Sequence, residues 1–144
     1  MTASRDLAQL APLPTDPEKQ YLWRPGTGWQ ELPPVPPAAL YAEVMAKSAT
    51  SQASLLEDSG KYLRFTNSAA STYTVAPQSA VDWAADTEIT LRRAANANLT
   101  LIAGTGVTLN APSGGTLVLT NNMTVTLKRV ATNVWDVIGQ TVAA

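Results

Sequence analysis

The sequence has no cysteine and no histidine, a single phenylalanine, and only 15% charged residues in its 144 positions. Each shortage excludes something. Without cysteine there is no disulfide, no thiolate nucleophile and no thiolate metal ligand. Without histidine the commonest general base and the commonest metal ligand are both gone, and neither a Ser-His-Asp nor a Cys-His arrangement can be built. A formal net charge of −1 supplies no field to draw in nucleic acid or an anionic membrane. Thr, Asn, Gly and Pro interrupt every apolar stretch, so no run of about 18 residues long enough for a spanning helix exists. Met1 to Leu10 holds Arg5 and Asp6 and lacks the apolar centre of a secretory signal. There is no GxxxxGK phosphate loop, and Gly104-Thr105-Gly106 lacks the third glycine and following helix of a dinucleotide site, so it reads as a turn.

The shortage of charge is concentrated. From Ala94 to Leu127 there is no Asp, Glu, Lys or Arg. What the stretch does contain is alternation: Leu99 and Leu101, Val107 and Leu109, Leu117 and Leu119, Val125 and Leu127, with Thr100, Thr108 and Thr126 between the members of three pairs. A period of two marks strands with one buried face. Gly104-Thr105-Gly106, Ser113-Gly114-Gly115 and Asn121-Asn122 supply turn chemistry between them. The rhythm extends to Ile89/Leu91 before and Trp135/Val137 after, giving pair starts spaced by 10, 8, 10, 8 and 10 residues. Such spacing predicts an all-β sandwich, barrel or stacked meander, expected here to be an antiparallel β-sandwich or barrel-like domain. Trp83 and Trp135, its largest side chains, are expected to anchor the core. A chain this long can bury a core without covalent staples.

Proline divides the chain. Eight of its ten prolines lie at or before position 37. Proline fixes φ and removes a donor, so residues 1–36 are predicted to be an extended arm, partly polyproline II. Within the arm, Tyr21-Leu22-Trp23-Arg24 and Trp29-Gln30-Glu31-Leu32 flank Pro25-Gly26-Thr27-Gly28, which reads as a small hairpin. An isolated hairpin is marginal in water. Trp23 and Trp29, with Tyr21 and Arg24, therefore read as docking residues of an arm that orders on a partner. Residues 37–48 carry Leu40, Tyr41, Val44 and Met45 at helical spacing after Pro37, which predicts one short connecting helix. Residues 49–144 form the β domain. In it Ala53 to Leu56, Lys61 to Thr66 and Thr72 to Val75 read as strands, with Glu57-Asp58-Ser59-Gly60 as the turn between the first two and Asn67 to Ser71 as the turn between the last two.

The run Asp58-Ser59-Gly60-Lys61-Tyr62-Leu63-Arg64-Phe65-Thr66, then Tyr73-Thr74-Val75-Ala76-Pro77, resembles a β-module of tailed-bacteriophage virion proteins. Glu88-Ile89-Thr90-Leu91, Leu99-Thr100-Leu101, Gly104 to Asn110 and Val134-Trp135-Asp136-Val137-Ile138-Gly139 look like the same module. The resemblance covers about residues 53–140. It implies a structural virion protein, commonly trimeric, made in the bacterial cytoplasm and carried in the virion. A chain that stops at Ala144 looks more like a capsid decoration (cement) or head-fibre protein than a tail fibre, which usually carries a distal receptor-binding domain. The implied partners are the major capsid protein or tail components and two further copies of the chain, with a host glycan as the target if it is instead a short tail-fibre or adhesin subunit. Nucleic acid and membrane are not expected partners.

Charge depletion over a long stretch marks surface at a subunit contact. Thr100, Thr108 and Thr126, with Leu40 and Val44 of the predicted helix, are therefore the expected interface residues. Arg92-Arg93 and Lys128-Arg129 bracket the uncharged stretch and are expected at one end of the sheet. Asp82, Asp86 and Glu88 cluster in sequence. Two carboxylates suffice for glycoside hydrolysis, and several can bind Ca²⁺. A solvated loop is the expectation here, so no catalytic residue, metal or cofactor is assigned.

Overall fold

A computed structural model describes residues 12, 14–16, 19–33 and 41–144. The chain divides into two compact units, Met1–Tyr41 and Ala42–Ala144.

In the first unit, β1 (Tyr21–Arg24) and β2 (Gly28–Glu31) form the predicted hairpin. Trp23 stands directly opposite Trp29, and Tyr21 opposite Glu31. The two indoles meet edge to face at 5.4 Å, the arrangement their quadrupoles favour. Gly26 takes φ +86° in the turn, where a side chain would be strained. The Thr27 N–H donates to the Arg24 carbonyl at 3.2 Å.

The second unit is mainly β. Its strands are β3 (Val44–Lys47), β4 (Ser51–Ala53), β5 (Tyr62–Phe65), β6 (Ser71–Val75), β7 (Glu88–Arg93), β8 (Leu99–Ala103), β9 (Thr108–Asn110), β10 (Val118–Leu119), β11 (Thr124–Ala131) and β12 (Val134–Gly139). A single 3₁₀ turn, Leu56–Asp58, precedes β5. The strands make a six-stranded sheet in the order β3-β5-β7-β11-β12-β9 and a four-stranded sheet in the order β10-β8-β6-β4. Neither closes on itself. The core lies between them: Leu63, Phe65, Ile89, Leu91, Val125, Leu127, Trp135 and Val137 from one, Tyr73, Val75, Leu99, Leu101 and Leu119 from the other, with Trp83. Trp83 and Trp135 meet edge to face at 5.4 Å, and the Trp83 indole N–H reaches the Ala76 carbonyl at 2.9 Å.

Two expectations are corrected. The first concerns strand direction. Five of the eight pairings in this unit are parallel: β3 with β5, β5 with β7, β4 with β6, β6 with β8, and β12 with β9. Three are antiparallel, β11 with β7, β11 with β12, and β10 with β8. From β3 to β8 the chain crosses between sheets at each connection, so β3-β4, β5-β6 and β7-β8 stack as successive coils. Alternation shows which face of a strand is buried but not which strand lies beside it, and a chain that coils alternates as a chain of hairpins does. The second concerns the helix over 37–48. Its first residues fall outside the described ones, but Val44–Lys47 is a strand paired in parallel with Tyr62–Phe65. Three turns of amphipathic spacing are too weak a nucleus to resist a waiting sheet edge. The β unit accordingly starts at Ala42 and not at residue 49.

Candidate functional site

Chemistry comes first. The Asp82 carboxylate accepts from Gln78 Nε2 at 2.9 Å. Asp86 is exposed, and its carbonyl accepts from Lys128 Nζ at 2.9 Å. Glu88 is ion-paired with Lys128 at 3.0 Å. Among the described residues no three of His, Cys, Asp and Glu are placed to hold a metal ion. Asp82 and Glu88 thus carry ordinary polar partners, and the Asp86 side chain is exposed.

The basic pairs do not share an end. Because β7 and β11 run antiparallel, Arg92 stands opposite Thr124 while Lys128 stands opposite Glu88. Arg93 and Arg129 are moreover buried. Arg93 Nη2 donates to the carbonyls of Asn67 and Ala69 at 2.7 and 2.8 Å, and Nε donates to that of Ala97. One guanidinium thereby ties together the loop that leads into β6 and the loop that leads into β8. Its burial lowers its pKa from the ordinary arginine value. Sequence shows charge but not which way an alternating strand points it.

The expected interface residues fall on different surfaces. Thr100 lies on the outer face of the four-stranded sheet. There the register lines up Ser51, Thr72, Thr100 and Val118 in one row and Ala53, Thr74 and Ile102 in the next. The intervening Ser71, Tyr73, Val75, Leu99, Leu101 and Leu119 point inward and are buried. None of the seven outward residues is charged.

Thr126 and Val44 lie on the outer face of the six-stranded sheet. Val44, Tyr62, Thr90, Thr126 and Ile138 form one cross-strand row. The Thr90 and Thr126 hydroxyls meet at 3.1 Å. Charged rows flank it: Arg64 and Arg92 with Thr124 on one side, Glu88, Lys128 and Asp136 with Asn110 on the other. Arg92 donates to Asn122 Oδ1 at 2.8 Å, and Asn110 Nδ2 donates to Asp136 Oδ1 at 2.8 Å. Thr108 is exposed on the edge strand β9, and Leu40 lies outside the described residues. The uncharged stretch of sequence is thus divided between two sheets, and the uncharged surface is completed by β4 and β6, which lie outside that stretch. Thr72-x-Thr74 was the available signal for it.

The docking residues of the hairpin lie together. Tyr21, Trp23, Trp29 and Glu31 share one register face, and Arg24 sits on the other face beside the turn. Trp23 and Trp29 are half-buried and Arg24 is exposed.

One cluster escaped the sequence reading. Asp58, expected to be a turn residue, is completely buried. Its Oδ2 accepts from Tyr73 Oη at 2.9 Å and from the Leu55 N–H at 3.0 Å. Its Oδ1 lies 2.8 Å from Lys47 Nζ, and Lys47 is buried as well. Burial first, and then the adjacent Asp58 carboxylate, push the Tyr73 phenol well above its ordinary pKa, so Tyr73 stays protonated and donates. Lys47 occupies an inward position of a strand, and that was the missed signal.

The sequence matches no protein-family model and no curated protein.

Proposed function

We propose that the protein is a non-enzymatic structural subunit of a bacteriophage virion, a capsid decoration (cement) protein. On this reading it assembles as a trimer through its β unit and grips the major capsid protein through residues 1–36. The observation that carries the reading is the outer face of the four-stranded sheet. A water-facing sheet usually intersperses charges of both signs, and the other sheet of this molecule does so. Seven outward residues with no charge, rich in hydroxyls, form a surface that another copy can cover without stripping ions of their hydration. Threefold symmetry comes from the resemblance to virion β-modules.

The hairpin supports the docking half of the proposal. It presents paired indoles on a segment with few other apolar groups, and aromatic residues of this kind dominate interface energetics. Three arms on one trimer make each later contact intramolecular, raising avidity by roughly 10²–10⁴.

Sedimentation velocity and co-sedimentation with shells lacking the protein test the two halves separately. The expected result is an oligomer that Thr100→Lys dissociates, and a form lacking residues 1–36 that remains an oligomer but no longer pellets with shells. A wild-type monomer across micromolar concentrations overturns the assembly. Wild-type shell occupancy by the truncated form overturns the arm as anchor. Failure of the full chain to bind shells, together with binding to host-surface glycan, replaces the decoration reading with that of a short tail-fibre or adhesin subunit.

A further inference from the structure

We propose that Lys47 and Asp58 condense within the folded chain into a side-chain amide, with Tyr73 and the Leu55 N–H polarising the carboxyl group. The site is assembled from three elements. Lys47 ends β3 on its inward side, in register with Phe65 of β5. Asp58 closes the 3₁₀ turn. Tyr73 comes from β6 in the opposite sheet and meets Phe65 edge to face at 5.6 Å. The Lys47 side chain is 8% exposed and that of Asp58 is 0% exposed.

The geometry is unusual for a resting ion pair. Lys47 Nζ is 2.8 Å from Oδ1, yet Oδ1 has no partner in hydrogen-bonding geometry. Nor does Lys47 Nζ have a hydrogen bond to any other group among the described residues. The second oxygen, Oδ2, receives two aligned donors, the arrangement that stabilises a developing oxyanion.

The chemistry balances without a co-reactant. Two charges enclosed by protein carry a large desolvation cost. Condensation starts with transfer of one proton from Nζ to Oδ1, which gives an amine and a carboxylic acid in contact. The amine lone pair attacks Cγ, and the carbonyl π pair moves onto Oδ2, where Tyr73 Oη–H and the Leu55 N–H receive the charge. A second nitrogen proton passes to the Oδ1 hydroxyl, the Cγ–Oδ1 bond breaks, and water leaves as the Cγ–Oδ2 double bond re-forms. The ammonium and carboxylate become one amide and one water, with no change in oxidation state. Holding the reactants in contact supplies an effective concentration of up to roughly 10⁵–10⁸ M. The product leaves Oδ2 with both of its donors. It joins the first strand of the β unit to the turn that enters its second coil, in a chain that has no cysteine for a disulfide.

The test is the intact mass of the folded full-length chain after incubation at neutral pH. The expected mass is lower than that of the sequence by one water, and tandem fragmentation places the loss on a branched peptide containing Lys47 and Asp58. Lys47→Met and Asp58→Ala show the full mass of their sequences, as does wild-type chain kept unfolded in denaturant. Tyr73→Phe, which keeps the ring, forms the bond roughly 10²–10³-fold more slowly, the usual cost of losing one such donor. A folded wild-type chain that retains its full mass overturns the proposal. Bond formation at an unchanged rate in Tyr73→Phe overturns the role given to Tyr73. Neither result bears on whether the chain is an oligomer or binds shells.

Discussion

Two tryptophan pairs in this chain share a geometry and differ in surroundings. Trp23–Trp29 and Trp83–Trp135 both meet edge to face at 5.4 Å. The first pair is half-buried on a two-stranded ribbon. The second is enclosed between two sheets, with Trp83 2% and Trp135 0% exposed. The ring contact contributes about 0.5–1.5 kcal/mol beyond area burial in either case. What distinguishes them is everything else that touches the ring. Between the sheets, each indole also contacts the aliphatic core, and removing it leaves a cavity that stacked strands cannot close. In the hairpin, the ring contact is a large share of the stabilisation, and water fills whatever is removed. The same pair is therefore a keystone in one place and an adjustable surface in the other.

The largest expected effect breaks this contrast at the buried end. Trp135→Ala should lower the stability of the β unit by about 3–5 kcal/mol, the usual cost of deleting a large core aromatic. Trp29→Ala should leave the β-unit melting transition unmoved while abolishing the exciton couplet that the Trp23–Trp29 pair gives in circular dichroism. Thermal melts followed by tryptophan fluorescence and far-ultraviolet dichroism separate the two. Comparable losses of β-unit stability would mean that the pairs are not in different environments.

Two glycines sharpen the comparison. Gly139 in β12 has φ +135°, and an added Cβ would sit 2.5 Å from the Thr124 carbonyl oxygen. Gly26 in the hairpin turn has φ +86° with nothing within 4 Å. Gly139→Ala carries both a backbone and a packing penalty and should cost about 1–3 kcal/mol. Gly26→Ala carries only the backbone term, about 1 kcal/mol, and only the hairpin should feel it. Denaturant titration of the β unit should register the first and not the second.

The smallest expected effect is on the rim. The Lys128–Glu88 pair has side chains 30% and 59% exposed, and pairs of this kind contribute about 0.2–1 kcal/mol. Lys128→Gln should shift β-unit stability by no more than that, and less as salt is raised. A loss that persists in concentrated salt would place the pair in a drier setting than its exposure implies.

How much of this was legible before the fold was known depends on whether a residue's role was local. Leu99/Leu101, Val125/Leu127 and Trp135/Val137 all point inward as alternation predicts. The hairpin around Pro25-Gly26 was legible because its two strands are neighbours in sequence. The parallel pairings were not, since partners such as Met45, Leu63 and Leu91 are brought together by the coil and not by a turn. Strand β3 was hidden for a further reason. Its inward residues are Met45 and Lys47, and a lysine at a core position erases the pattern that marks a strand. Asp58 was hidden in the same way: a carboxylate in a turn is ordinarily solvated, and only the approach of Lys47 and Tyr73 from other strands makes its burial tolerable. On the surfaces, Thr100 and Thr126 looked equivalent. Which sheet each strand joined decided that they face different surroundings.

The stacked coils carry one more consequence, for how such a chain can change over evolutionary time. Val44, Tyr62 and Thr90 sit side by side in register, although 18 residues separate the first two and 28 the second two. Inward side chains hold the alignment, and the connection only has to be long enough to return. A lineage can therefore lengthen or replace a connection without shifting a strand, so the two sheets form a fixed frame on which new loops can be written.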